Sequence, residues 1–224
     1  VSDLVKRLIE QVAFEARGSE FVDKKSGVSA RLTISAFENA ISAAERRAIV
    51  NNERQTQVWI SDLVGIIPSI TGKIELVYEG EQEGPYQVAM NLVDKSIRSQ
   101  FVQYFPNPDQ LKKRKPDAKD ENPYRPLITW FDKGNHVNLF FNIKDEEKLL
   151  NLYKVDGLQA LVKKYFKGAN DKEAALLMEF VLHGLAAYSL ISKKVIEGKI
   201  EFKDLMGSML NLGRNYEEEF DEEA

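Results

Sequence analysis

Between Asp171 and Glu197 the sequence is apolar on almost every side at helical spacing, with Leu176, Leu177, Phe180, Val181, Leu185, Leu190 and Ile191 leaving no continuous solvated stripe. A helix without a polar face is a buried one, so the rest of the chain has to enclose it. Asp171 opens this helix and Gly198 is placed as its C-terminal stop. The chain is long enough for such a core: with 224 residues it buries about 70% of the surface its unfolded form exposes, and it needs neither disulfides nor a structural metal. Cys is absent, which excludes disulfide frameworks, thiolate zinc sites and cysteine nucleophiles, and favours a reducing cytoplasm. Two His, His136 and His183, are too few for an imidazole-rich metal site. No apolar run reaches about 18 residues and the N-terminus lacks a signal-peptide layout, so no membrane segment is expected.

Prolines divide the chain. Of seven, five lie between Pro106 and Pro126, around the basic run Lys112-Lys113-Arg114-Lys115. Missing donors, fixed φ and unburiable charge predict a linker over 105–126, between a helical domain at 1–104 and a second at 127–216. Charge divides with it. Residues 1–104 carry 12 basic and 14 acidic side chains, 105–216 carry 19 and 15, and 217–224 carry six acids and no base. The last segment reads as an acidic disordered tail. No element presents the dense basic face that nucleic acid requires.

Four helical segments are expected before the linker. Leu4, Leu8, Ile9 and Val12 repeat at helical spacing behind Ser2 and end near Gly18. A second helix runs from about Ser29 to Val50, with Leu32, Phe37, Ile41, Ala44 and Ala48 on one stripe. Val58-Trp59-Ile60 is a short extended patch, after which Ser61 caps a helix that Pro68 disturbs or ends. The fourth begins at Pro85, with Val88, Leu92, Ile97, Phe101 and Val102 inward. Residues 72–83 fit either a strand, through alternating Ile74, Leu76 and Tyr78, or an irregular helix. After the linker, Pro126 opens a short helix through Trp130 to Gly134, Asp145 caps another through Tyr153, Gly157 to Phe166 forms a third, and Phe202 to Leu212 closes the fold.

Most chemical signatures fail on inspection. Ser69-Ile70-Thr71-Gly72-Lys73 is not a phosphate loop, because Gly65 and Gly72 have the wrong separation and Ile74 follows the Lys. No Gly-x-Ser-x-Gly elbow is present. Glu79, Glu81 and Glu83 lack the spacing of a calcium loop and read as a solvated turn. Glu45-Arg46-Arg47 reads as the polar face of the second helix, His183 as a satisfied core histidine, and Met178, Met206 and Met209 as core filler. One stretch remains. Asp23 to Leu32 is a polar loop containing Gly27 that delivers Arg31 into the first turn of a long helix. There the helix dipole and a planar guanidinium both favour a phosphate.

The run Val22 to Leu32, continuing through Glu38-Asn39-Ala40 and Ala44-Glu45-Arg46-Arg47-Ala48, resembles the lid subdomain of magnesium-chelatase-like AAA+ ATPases. So do Ile60-Ser61-Asp62-Leu63 and Ile67 to Glu81, while Leu177 to Leu185 and Phe202-Lys203-Asp204-Leu205 resemble the C-terminal helical region of the same bacterial proteins. The resemblance implies a mainly all-α fold, with an AAA+ lid-like bundle, a second helical domain and at most a short strand or hairpin. It implies that Arg31 is the second-sensor arginine, the catalytic and cofactor-binding candidate, reaching the γ-phosphate of ATP; no residue is assigned to a metal. Walker A, Walker B, the first sensor and the arginine finger are missing from the sequence. Val1 is no initiator Met and already lies in a helical pattern, so the chain reads as a C-terminal fragment. ATP and Mg2+ would then be held by an N-terminal AAA+ core of the same protein. The implied partners are that core, neighbouring subunits of a ring, and a client or von Willebrand A-type protein. The alternatives from the residues are a free-standing helical adaptor and part of an enhancer-binding-type regulator.

Overall fold

Ser2 accepts a hydrogen bond from the Val5 amide and opens helix α1 (Asp3–Gly18), whose stripe Leu4, Val5, Leu8, Ile9, Val12, Ala13 and Ala16 is buried. The computed structural model describes residues 1–113 and 122–205. The expected tail at 217–224, the closing segment towards Leu212 with Met206 and Met209, and part of the basic run lie outside them. Helix α2 (Arg31–Val50) buries Leu32, Ala36, Ala40, Ala44 and Ala48; the small side chains let α1 and the following 3₁₀ turn, Ser61–Ile66, lie close to its axis. Pro68 does not end a helix begun at Ser61; it sits in the first turn of the short α3 (Ile67–Thr71), where its missing N–H costs nothing.

The ambiguous segment 72–83 resolves into two parts. Leu76 forms an isolated antiparallel bridge with Val22, and α4 (Tyr78–Glu83) follows. Pro85 then starts α5 (Pro85–Tyr104), which buries Val88, Leu92, Ile97 and Phe101 as expected, while Val102 is on the exposed side. Helix α5 is the spine of the molecule, packed against α1 on one flank and the long apolar helix on the other.

The expected linker is partly structured. Pro108–Lys113 forms the short α6, and Tyr124 is fully buried with its hydroxyl donating to the Pro106 carbonyl. Arg98 of α5 holds the start of this segment, donating at 2.6 Å to Asp109 and at 2.6 Å to the Ala187 carbonyl while lying 4.0 Å over the Tyr188 ring. One core runs through both expected domains: Phe101 from the first packs with Phe105 and Tyr124 of the expected linker and with Phe180 and Tyr188 beyond it.

Beyond Tyr124 come α7 (Arg125–Asp132), β1 (Val137–Phe140), α8 (Asp145–Tyr153), α9 (Leu158–Tyr165) and α10 (Asp171–Ala187). The apolar helix is therefore real and buried, but ten residues shorter than expected. Its chain turns at Ser189, a non-glycine residue at φ 52°, and then forms β2 (Ser192–Ile196) and β3 (Lys199–Lys203). Gly198, at φ 77°, is the turn of this hairpin and not a helix stop. Strand β1 joins β3 on its other edge, pairing Val137 with Phe202 and Phe140 with Lys199, to give an antiparallel sheet of order β1-β3-β2. The described residues are thus mainly α-helical with one small sheet. Among the described residues no helix is long and apolar enough to cross a membrane.

Candidate functional site

Arg31 is the first residue of the 20-residue helix α2, and it is exposed. The turn before it is closed by local bonds. The Asp23 carbonyl accepts from the Gly27 amide at 3.1 Å, Asp23 Oδ1 from the Lys25 amide at 2.7 Å, and Gly27 adopts φ 71°, which a side chain would oppose. Ser29 Oγ accepts from the Arg31 amide at 3.2 Å and the Ser29 carbonyl from the Leu32 amide at 3.0 Å. Ala30 offers no capping side chain and the first turn of α2 contains no acid. The Arg31 guanidinium makes no hydrogen bond or ion pair among the described residues. A helix start with no acid in its first turn and an uncommitted arginine suits an anion.

The second concentration of charge is buried, and the sequence reading missed it. Arg47 lies sixteen positions along α2 from Arg31, about 24 Å at 1.5 Å per residue. It is not on a polar face, being only 1% exposed. Its Nε and Nη2 donate to Asp62 at 3.4 and 3.0 Å, Nη2 also to the Gln57 carbonyl at 2.9 Å, and Nη1 to Thr56 Oγ1 at 3.0 Å and to Asp145. Burial works against the charge, but Asp62 and Asp145 outweigh it and hold the Arg47 pKa above its ordinary value. Asp145 also accepts from Trp59 Nε1 at 2.7 Å.

Carboxylates here cap helices at long range. Asp145 does not cap α8; its amide donates at 2.9 Å to Glu53, 92 positions earlier. Ser61 does not cap its own 3₁₀ turn. Glu179 of α10 accepts from the Ile60 and Ser61 amides at 2.8 and 3.1 Å, across 119 and 118 positions. The Ser61 hydroxyl instead accepts from Lys148 Nζ at 2.6 Å, and Lys148 lies 3.9 Å from Glu179 and 5.0 Å from the Trp59 ring centroid. Burial raises the Glu179 pKa, with Lys148 and the Ile60 amide pulling it back. A Ser beside a Lys suggests an activated nucleophile, but Ser61 and Lys148 are 1% and 0% exposed, which denies them a substrate.

His183 is buried as expected but not satisfied. Among the described residues neither ring nitrogen has a partner, and the ring meets Phe202 edge-on with centroids 5.1 Å apart. Burial first, then Lys193 and Lys148, lowers its pKa well below the ordinary value. Glu79, Glu81 and Glu83 are all exposed. Among the described residues no group of three His, Cys, Asp or Glu is placed to hold a metal ion. A groove of about 470 Å³ between the start of α1, Tyr104 and the α9–α10 loop is lined by neither Arg31 nor the buried charges. No protein-family model, curated protein or solved structure matches the chain.

Proposed function

We propose that this chain is the nucleotide-sensing and ring-coupling part of a magnesium-chelatase-like AAA+ ATPase, working on ATP and Mg2+ held by an N-terminal core of the same protein. The observation that supports this most is the contrast between the two arginines of α2. Arg47 is consumed by five hydrogen bonds within the fold. Arg31 stands exposed at the helix start with no acid in the first turn to neutralise it. ATP supplies the phosphoryl chemistry in such an enzyme; Arg31 binds and orients the terminal phosphate and offsets its charge, which is how a protein contributes to phosphoryl transfer. Exposed Ile34, Ile49 and Val50 on the same helix favour a second reading, a helical adaptor that docks through α2.

Steady-state ATP hydrolysis by the full-length protein separates the two. Losing a charge-assisted phosphate contact costs about 1.5–3 kcal/mol, so Arg31→Ala slows turnover roughly ten- to a hundredfold with an unchanged melt. Arg31→Lys recovers little, since a point charge does not reproduce the planar fork. Arg46→Ala, on the exposed face of α2, is the control. The 224-residue chain alone shows no turnover above background. Unchanged hydrolysis in Arg31→Ala refutes nucleotide sensing and leaves the adaptor.

A further inference from the structure

The loop that delivers Arg31 is fastened to a segment more than forty residues away, and one residue supplies two of the fastenings. The Glu75 carbonyl accepts from the Asp23 amide at 2.8 Å, and the Glu75 carboxylate accepts from the Ser26 hydroxyl. Beside them Val22 bridges Leu76, and the Val77 amide donates to the Phe21 carbonyl at 3.0 Å. Gly80 makes this approach feasible: a Cβ there would lie 2.6 Å from the Phe21 oxygen. The backbone bonds to residues 75–77 hold only the root of the loop, residues 21–23, while Asp23 closes the turn within it on the Lys25 and Gly27 amides. Its tip, with Lys24, Lys25, Ser26 and Ser29 all exposed, is tied back through the Ser26–Glu75 contact. Ser29 in turn closes the first turn of α2 on the Arg31 amide.

We infer that Glu75 is a positioning residue for Arg31: through Ser26 it holds the 24–30 loop in the one shape that leaves the start of α2 and its arginine open to a terminal phosphate. The inference rests on the nucleotide-sensing reading. Glu75 touches no nucleotide itself; it reduces the number of shapes the loop samples, so that the Arg31 contact forms without first ordering it.

The test compares Glu75→Ala, Glu75→Gln, Ser26→Ala, Arg31→Ala and the Arg31→Ala/Glu75→Ala double variant in the full-length protein. Turnover, ADP affinity, thermal melts and amide exchange at residues 24–31 are measured. Loss of one modest hydrogen bond predicts kcat about three- to tenfold lower in Glu75→Ala and Ser26→Ala, with amide exchange at 24–31 faster by a similar factor. ADP affinity and the melt stay unchanged. Glu75→Gln keeps an acceptor for the Ser26 hydroxyl and restores both readouts, which a role in surface charge alone would not allow. In the Arg31→Ala background Glu75→Ala has no further effect on kcat. Unchanged exchange, a Gln variant as impaired as Ala, or a loss that persists without Arg31 overturns the inference. A slowed Arg31→Ala beside an unaffected Glu75→Ala overturns it alone, whereas unaffected turnover in Arg31→Ala overturns the sensing reading and this inference with it.

Discussion

Replacing Arg47 with Met tests the buried network most directly. Met follows much of the arginine stem but removes every donor from a site where Asp62 is 7% exposed and Arg47 only 1%. Asp62 would keep its bond from the Trp59 amide, 2.8 Å long, and lose its charge partner. Breaking a buried pair from one side costs about 3–5 kcal/mol, because the remaining ion stays desolvated. Asp145, with a side chain 25% exposed, is rehydrated in place and adds little. For a chain of this size each kcal/mol lowers the melting temperature by about 2–4 °C, so Arg47→Met melts roughly 6–20 °C lower. Arg47→Met/Asp62→Asn, which removes the carboxylate left without its guanidinium and retains an acceptor for the Trp59 amide, recovers at least half of the loss. Urea unfolding at pH 7, followed by circular dichroism and tryptophan fluorescence, gives both differences from midpoint and slope. A loss under about 1 kcal/mol, or a double variant no better than the single, refutes the claim that this charge pair is desolvated.

Two further perturbations test the packing of α10. Gly184→Ala places a Cβ 2.1 Å from the ring of fully buried Phe101; overpacking outweighs the helical gain of about 1 kcal/mol, and a net loss of about 1–3 kcal/mol appears as a lower urea midpoint, while a raised midpoint refutes the close contact. His183 makes the fold acid-sensitive: its folded pKa lies below the ordinary 6.5, so its contribution is present above that pH and is lost as pH falls through it, by up to about 1.4 kcal/mol per pH unit. Unfolding measured at pH 7.5 and 5.0 therefore shows a steeper loss for the native chain than for His183→Gln, and since Glu179 is common to both, equal slopes refute the assignment.

The parts legible in the sequence were those whose cause is local. Ser2 with its stripe fixes α1, Pro85 starts α5, and Gly27 with Ser29 marks where α2 begins. The hairpin β2–β3 was hidden because Ser189, an ordinary-looking residue, takes the left-handed conformation that ends α10, and nothing in the sequence before it forces that. Arg47 was hidden for a different reason. Beside Glu45 and Arg46 it looks like a solvated face, and only its carboxylate partners Asp62, 15 positions later, and Asp145, 98 positions later, make its burial tolerable. The same distance conceals the helix caps from Glu53 and Glu179, since local reading assigns capping to the neighbouring Ser61 and Asp145. At the candidate site the position of Arg31 followed from spacing, but the fastening of its loop by Glu75 did not, being separated from Ser26 by 49 positions.

The long-range caps also set a timetable for synthesis. Ser61 waits for Glu179 through 118 residues of translation, roughly 6–24 s at about 5–20 residues per second. During that interval the growing chain carries α1 and α2 with Arg47 still lacking one of its two carboxylate partners, because Asp145 has not yet been made. The first hundred residues therefore emerge as an unfinished bundle that closes only after α10 has left the ribosome, a period in which a chaperone or a neighbouring nascent chain could engage the apolar face of α5.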